Sequence, residues 1–355
     1  MNGKYKAFWL DENNDVVIID QTKLPFEYET VTLKTADDAI WSIKDMLVRG
    51  AGVIGNIAAF GVYLAVKENS KITYIRKKAQ EIRESRPTAV NLMWAVDIMM
   101  EKLESDKENL LEIALLEAIN ITDGDVERSA QIGKYGCDKF EEIMKQNGKT
   151  SINVLTHCNA GWLAIVDDGS ALAPIYEAQR RGIDIHVWVD ETRPRNQGAN
   201  LTAWELGKSG INHTIIPDNT GGYLMQQGEV DVCIVGADRV SAQGDVANKI
   251  GTYLKALAAH DNNIPFYVAI PEGTLDFDIV DGVKDIPIET RSEKEVKYMR
   301  GLNEKGEVQE LLITPKDSKS INYGFDITPN RLVTGLITEK GICKANQKAI
   351  TSMFK

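Results

Sequence analysis

Ile152-Asn153-Val154-Leu155-Thr156-His157-Cys158-Asn159-Ala160-Gly161 is the stretch that decides how this chain folds. A mostly apolar run stops at Thr156, and a thiol, an amide and a small-residue turn follow it. A short apolar run bounded by turn residues reads as a buried strand. Similar runs recur at 185–189, 213–216, 230–235 and 266–270, separated by helical patterns at 171–181, 201–208, 223–227 and 246–260. Buried strands alternating with helices predict a doubly wound, Rossmann-like parallel sheet. Ligands of such sheets bind at the carboxyl ends of the strands.

Upstream the grammar differs. A strand is predicted at 16–20, followed by a helix over 36–48 with Ile40, Ile43, Met46 and Leu47 on one stripe. A buried helix is expected over 51–66, a charged one over 72–84, one starting at Pro87 and a long one over 110–145. Asn147-Gly148-Lys149 is a turn signal. The fold class is therefore α/β: a mainly helical N-terminal domain, 1–148, followed by a Rossmann-like domain, 149–355. A chain of 355 residues exceeds the usual single core, which agrees with two domains. Thr328 as N-cap, Pro329 at the first helical position and Gly341 after the end predict one more, late helix.

Composition is that of an ordinary globular protein, 43% hydrophobic and 26% charged. A net charge of −11 argues against nucleic-acid and anionic-membrane partners, although a locally positive pocket can still take a small phosphorylated substrate. Cys137, Cys158, Cys233 and Cys343 are widely spaced with no C-x-x-C pair, so neither a disulfide framework nor a zinc site is expected. Residues 1–15 are charged and lack an apolar signal core, and the apolar run 51–66 is shorter than a bilayer span. A cytoplasmic setting is expected.

Four motifs sit where apolar runs end: Thr156 to Gly161, Asp190-Glu191-Thr192-Arg193-Pro194-Arg195-Asn196-Gln197-Gly198, Gly236-Ala237-Asp238-Arg239, and Gly244-Asp245-Val246-Ala247-Asn248-Lys249. A free cysteine is most often a buried hydrophobe, but the polar turn around Cys158 points to a reactive position. His157 reads better as a satisfied core histidine than as a base for it. A partly desolvated Asp238 suits a general acid; the alternative is a salt bridge to Arg239 or a turn aspartate. Asp245 reads as a turn residue, whereas Asn248 and Lys249 are expected in the first turn of a helix, which suits an anion, with Lys249 reading equally as a solvated surface charge. Arg86 precedes the helix predicted at Pro87. Of Arg193 and Arg195 around Pro194, the latter reads as an ordinary surface arginine, with Gln197 next to Gly198.

Gly50-Ala51-Gly52-Val53-Ile54-Gly55 matches G-x-G-x-x-G, yet a helix is predicted before it where a dinucleotide fingerprint needs a strand. Arg49-Gly50-Ala51 reads either as an anion-binding helix N-terminus or as a close helix contact that needs small residues. With no metal cluster and no nucleotide fingerprint, no cofactor is expected.

Together these stretches closely resemble the methylthioribose-1-phosphate isomerases, of the same superfamily as the alpha, beta and delta subunits of initiation factor 2B. The match runs from Arg49-Gly50-Ala51 through Arg86-Pro87-Thr88-Ala89-Val90-Asn91, Leu201-Thr202-Ala203-Trp204-Glu205-Leu206 and Ile286-Pro287-Ile288-Glu289 to Thr338-Glu339-Lys340-Gly341. The resemblance implies a homodimer that isomerises a small phosphorylated sugar without cofactor. It implies Asp238 as acid and Cys158 as its catalytic partner, stabilising the transition state or handling the C2 proton. It also implies substrate contacts from Arg49, Gly50, Ala51, Arg86, Gln197, Asn248 and Lys249.

Three departures bear on the substrate. Gly52-Val53 replaces an expected Pro-Ala, Pro271-Glu272-Gly273-Thr274 a Pro-Thr-Ser-Thr, and Tyr323-Gly324 a Pro-Ala. A paralogue acting on 5-deoxyribose 1-phosphate would keep Cys158 and Asp238 and change only the pocket around C5, a difference of about 1–3 kcal/mol. A non-catalytic regulatory subunit would need neither residue.

Overall fold

The computed structural model describes residues 7–86, 89–105 and 108–355. They form two compact units. The first gathers residues 7–23, Tyr28–Ala130 and Ala160–Gly169; the second gathers Leu24–Glu27, Gln131–Asn159 and Ser170–Lys355. The units interleave, so the contacts do not divide at 148/149. Residues 131–148 cluster with the sheet, and the loop 160–169 clusters with the helices.

The first unit opens with an antiparallel sheet of β1 (Phe8–Leu10), β2 (Val16–Ile19) and β3 (Thr30–Leu33). Helices α1 (Ala36–Lys44), α2 (Ala51–Glu68), α3 (Ile72–Arg83) and α4 (Val90–Ser105) follow. Helix α5 (Leu110–Asn147) contributes to both units. Thr35 and Asp38 form a capping box at the start of α1. This helix stops at Lys44, short of the expected 48, because Met46 takes left-handed backbone at φ +60°. That turn delivers Arg49 and Gly50 to the start of α2.

Helix α2 is apolar on every side and buried from Gly52 to Val66, as a core helix is. It is long and apolar enough by composition to cross a membrane, yet 83% of it is buried inside the fold. Asn56 is its polar core residue. Its amide donates to Asp125 Oδ2 at 2.6 Å and its oxygen accepts from Thr122 at 2.8 Å, tying α2 to α5. The start of the helix predicted at Pro87 lies outside the described residues.

In the second unit the strands are β4 (Ser151–Thr156), β5 (Asp184–Asp190), β6 (His213–Ile216), β7 (Val232–Val235), β8 (Arg239–Ser241), β9 (Val246–Lys249), β10 (Phe266–Ala269), β11 (Leu275–Asp276), β12 (Tyr298–Leu302), β13 (Val308–Leu312), β14 (Phe325–Thr328), β15 (Gly335–Thr338) and β16 (Gly341–Cys343). Its helices include α6 (Ala173–Arg180), α7 (Ala203–Lys208), α8 (Thr220–Gln226), α9 (Thr252–Asp261) and a last one at Gln347–Phe354. The main sheet has the order β16-β15-β10-β7-β4-β5-β6, parallel except for β16. Without that edge strand it is the Rossmann order, growing outward in two directions from β4 and β7. The expected α/β class, with its helical N-terminal region and parallel sheet, is what the chain adopts.

Two expectations fail. The helical pattern over 246–260 contains a strand first: β9 pairs with β8 and β14, and α9 starts only after Gly251, which caps it at φ +103°. Thr328 and Pro329 open no α-helix, only a single 3-10 turn at Asn330–Leu332. Thr328 ends β14, Pro329 is extended, and the apolar residues that follow become β15, the outermost parallel strand. Burial between β10 and β16 outweighed the capping signals there.

Candidate active site

Strands β4 and β7 pair side by side through Val154↔Val232 and Leu155↔Cys233. From β4 the chain winds outward to β6, then returns to β7 and winds the other way. The gap beyond their carboxyl ends is the topological switch point, where open α/β sheets bind ligands. Cys158 follows β4 and Asp238 follows β7, so both leading candidates lie at that gap.

Cys158 is half-buried with left-handed backbone, φ +67°. Its N–H donates to Thr192 Oγ1 at 2.8 Å, and its carbonyl accepts from Thr202 Oγ1 at 2.6 Å. Thr202 closes a π-helical turn, Gly198–Thr202, that begins directly after Gln197. Such turns are frequent at functional sites. The Cys158 and Gln197 loops are thereby tied together. Gln197 is buried, and its Oε1 has no donor among the described residues. Gly198 must be glycine, because a Cβ there would lie 1.7 Å from the Asp190 carbonyl oxygen.

Beneath Cys158 lies a buried polar cluster. His157 Nδ1 is 2.9 Å from Asp190 Oδ2, and its Nε2 is 2.9 Å from the Ile250 carbonyl oxygen. Lys255 Nζ stands 3.1 Å from the same Asp190 oxygen and donates to the Asp218 carbonyl. His157 is thus a satisfied core histidine. His157, Asp190 and Asp218 could gather round a metal ion by spacing. However, the Lys255 ammonium already occupies the cation position beside Asp190. Nearby, burial pushes the Asp326 carboxyl up, against the pull of the N–H groups it accepts from Gly251 and Tyr253.

Asp238 is exposed rather than partly desolvated, because it stands in the short connection between β7 and β8. Its N–H donates to the Ala247 carbonyl, and the Arg239↔Ala247 register puts it one step from Asn248. Arg239 pairs with Asp276 at 3.4 Å. Asn248 and Lys249 lie on β9, not in a helical turn. Asn248 is buried and donates to Thr252 Oγ1 at 3.0 Å. Lys249 donates to the Gly324 carbonyl at 3.0 Å and lies over the Phe325 ring. Asp245 is structural, accepting from the Gly282 and Asn330 N–H groups. Arg193 is spent on the Pro194 and Val296 carbonyls, and Arg195 faces Glu295.

In the first unit, Gly50 caps α2 at φ +98°, and a Cβ there would lie 2.6 Å from Ala164. Gly52 approaches Ile165 and Gly55 the Asn91 carbonyl, so a Cβ at either would be crowded. The Val53 N–H donates to Ala164 O at 3.0 Å. Arg49, Ala51 and Arg86 are half-buried. A separate cavity of about 780 Å³ lies at the other end of the main sheet, lined by Lys139, Asp231, His260 and Tyr267 among others, and holds none of the candidate residues.

Sequence reasoning missed Thr192, Thr202, Asp218 and Lys255. Asp218 was within reach of it, as a carboxylate just past the end of β6 in Pro217-Asp218-Asn219.

Residues 47–345 match the family described as the initiation factor 2 subunit family. The chain is 61% identical to the methylthioribose-1-phosphate isomerase of Sulfurimonas denitrificans, over the full length of both. Among solved structures it resembles the 5-methylthioribose 1-phosphate isomerase of Pyrococcus horikoshii, 35% identical over 98% of this chain and 95% of that one, with a TM-score of 0.86. It also resembles the delta subunit of translation initiation factor eIF-2B from A. fulgidus, 37% identical over 96% of both, with a TM-score of 0.82.

Proposed function

We propose that this chain, which belongs to the initiation factor 2 subunit family and groups there with the methylthioribose-1-phosphate isomerases, converts S-methyl-5-thioribose 1-phosphate into S-methyl-5-thioribulose 1-phosphate. The observation that carries this reading is end-to-end likeness to a named isomerase. The reaction is an aldose–ketose isomerisation belonging to methionine salvage.

An aldose 1-phosphate is locked as a cyclic acetal. In our reading Asp238 gives a proton to the ring oxygen as its bond to C1 breaks. Hydrogen then moves from C2 to C1, as a hydride or through an enediol, and the C2 hydroxyl loses its proton as C2 becomes the carbonyl. Cys158 stabilises the charge that develops or handles the C2 proton. Bound substrate supplies dry surroundings over the exposed Asp238, which strengthens the electrostatics of either route. Gln197, Asn248 and Lys249 hold the sugar phosphate in this reading. The buried Gln197 Oε1 suits a sugar hydroxyl. The working form in this proposal is a cytoplasmic homodimer.

Two further readings have observations behind them. Gly324 stands where an alanine is expected and its carbonyl accepts from Lys249, a proposed substrate residue, so 5-deoxyribose 1-phosphate is kept as the alternative substrate. The likeness to an initiation-factor subunit favours a non-catalytic role. Measuring kcat/KM on both sugar phosphates side by side decides among the three. Preference for the thioether supports the proposal, preference for the deoxy sugar replaces it with 5-deoxyribose salvage, and no turnover of either supports the regulatory subunit.

A further inference from the structure

Two non-glycine residues of the second unit hold left-handed backbone and are bonded to each other: Cys158 at φ +67° and Thr192 at φ +65°. For a β-branched residue this conformation is an outlier, and glycine or asparagine would adopt it with less strain. Strained positions persist only where their surroundings over-determine them, and they gather at functional sites. Thr192 is held on every polar atom that could restrain it. Its N–H donates to Asp218 Oδ1 at 2.7 Å, its hydroxyl donates to the Asp190 carbonyl at 3.0 Å, and the same oxygen accepts the Cys158 N–H. It is fully buried, whereas Cys158 keeps part of its surface. A residue needed only to turn the chain has no use for a hydroxyl engaged in both directions.

We propose that Thr192 is a positioning residue for Cys158, fixing the peptide that carries the thiol at the carboxyl end of β4. The proposal rests on reading Cys158 as a catalytic group. Without the hydroxyl, the Cys158 N–H loses its acceptor and the thiol its fixed place. Turnover then falls more than affinity, because Thr192 acts through Cys158.

The test uses the full chain and S-methyl-5-thioribose 1-phosphate, with Thr192→Val, Thr192→Gly, Thr192→Ser and Cys158→Ala. Glycine accepts the backbone conformation freely, so that variant folds while losing the hydroxyl. Valine and glycine should lower kcat at least tenfold with KM within about threefold, and should speed alkylation of Cys158 by iodoacetamide at least threefold; serine should restore both. Wild-type kcat in the glycine and valine variants would overturn the proposal. So would a loss of kcat with unchanged Cys158 alkylation, because Thr192 would then act by another route. Wild-type kcat in Cys158→Ala would instead remove the catalytic reading of Cys158, while alkylation would still report whether Thr192 positions it.

Discussion

His157 Nδ1 and Asp190 Oδ2 meet at 2.9 Å with neither side chain exposed. With its other ring nitrogen on the Ile250 carbonyl, His157 is tied into the base of the crevice, although it adjoins the candidate thiol in sequence. Asp190 also faces Lys255, so one carboxylate holds two basic side chains together. Breaking a buried pair by removing one partner typically costs about 3–5 kcal/mol. Asp190→Ala should therefore destabilise the chain by roughly that amount in urea unfolding. A loss under about 1 kcal/mol would mean the cluster relaxes or takes up water on its own.

Asp238 is the proposed proton donor, and general acids contribute about 100- to 10,000-fold. Asp238→Asn keeps the shape and removes the proton, so kcat should fall by at least about 100-fold while substrate binding by calorimetry is largely spared. Cys158→Ser should be nearly as damaging. A near-wild-type rate in either variant removes that residue from the chemistry.

Much of this was legible in the sequence because period and burial coincide in the second unit. The run Val232–Val235 is apolar and buried throughout and the one ending at Thr156 is mostly so, as strands covered on both faces are, and their ends put Cys158 and Asp238 just past a strand. The small sheet of β8, β9, β11 and β14 was illegible for the opposite reason. Val246-Ala247-Asn248-Lys249 is too short to show a period, and its strand identity comes from pairing with Phe325–Thr328, remote in sequence. Capping residues misled at Thr328-Pro329, since a local helix signal cannot register that Gly335–Thr338 fills a place beside β10. The supports of Cys158, namely Thr192, Thr202 and Asp218, are ordinary loop residues until the fold brings them to one peptide.

Gly198 tests how tightly that support is built. A methyl group there would collide with the Asp190 carbonyl and lie 2.9 Å from Thr192 Oγ1, the atom that accepts the Cys158 N–H. Gly198→Ala must shift backbone rather than a flexible side chain. It should destabilise the chain by about 1–3 kcal/mol and lower kcat together with stability. Unchanged kcat at reduced stability would show that the Cys158 peptide tolerates movement of its neighbours.

The four cysteines should separate by their reaction with iodoacetamide at pH 8. Cys137 and Cys233 are buried, and burial pushes both thiols up, Cys137 to about 12. A raised thiol pKa keeps the neutral, unreactive form to higher pH, so at pH 8 only roughly one part in ten thousand of Cys137 is thiolate. Burial raises Cys343 as well, although part of its surface is exposed. Cys158 is half-exposed at an open turn, so mass spectrometry should find it modified first, with activity lost in step and saturating substrate slowing both. Raising the pH toward 10 should bring Cys343 in next, while Cys137 and Cys233 wait for unfolding. If Cys343 reacted before Cys158, or if full labelling of Cys158 left turnover intact, the thiol at the end of β4 would have no part in the reaction.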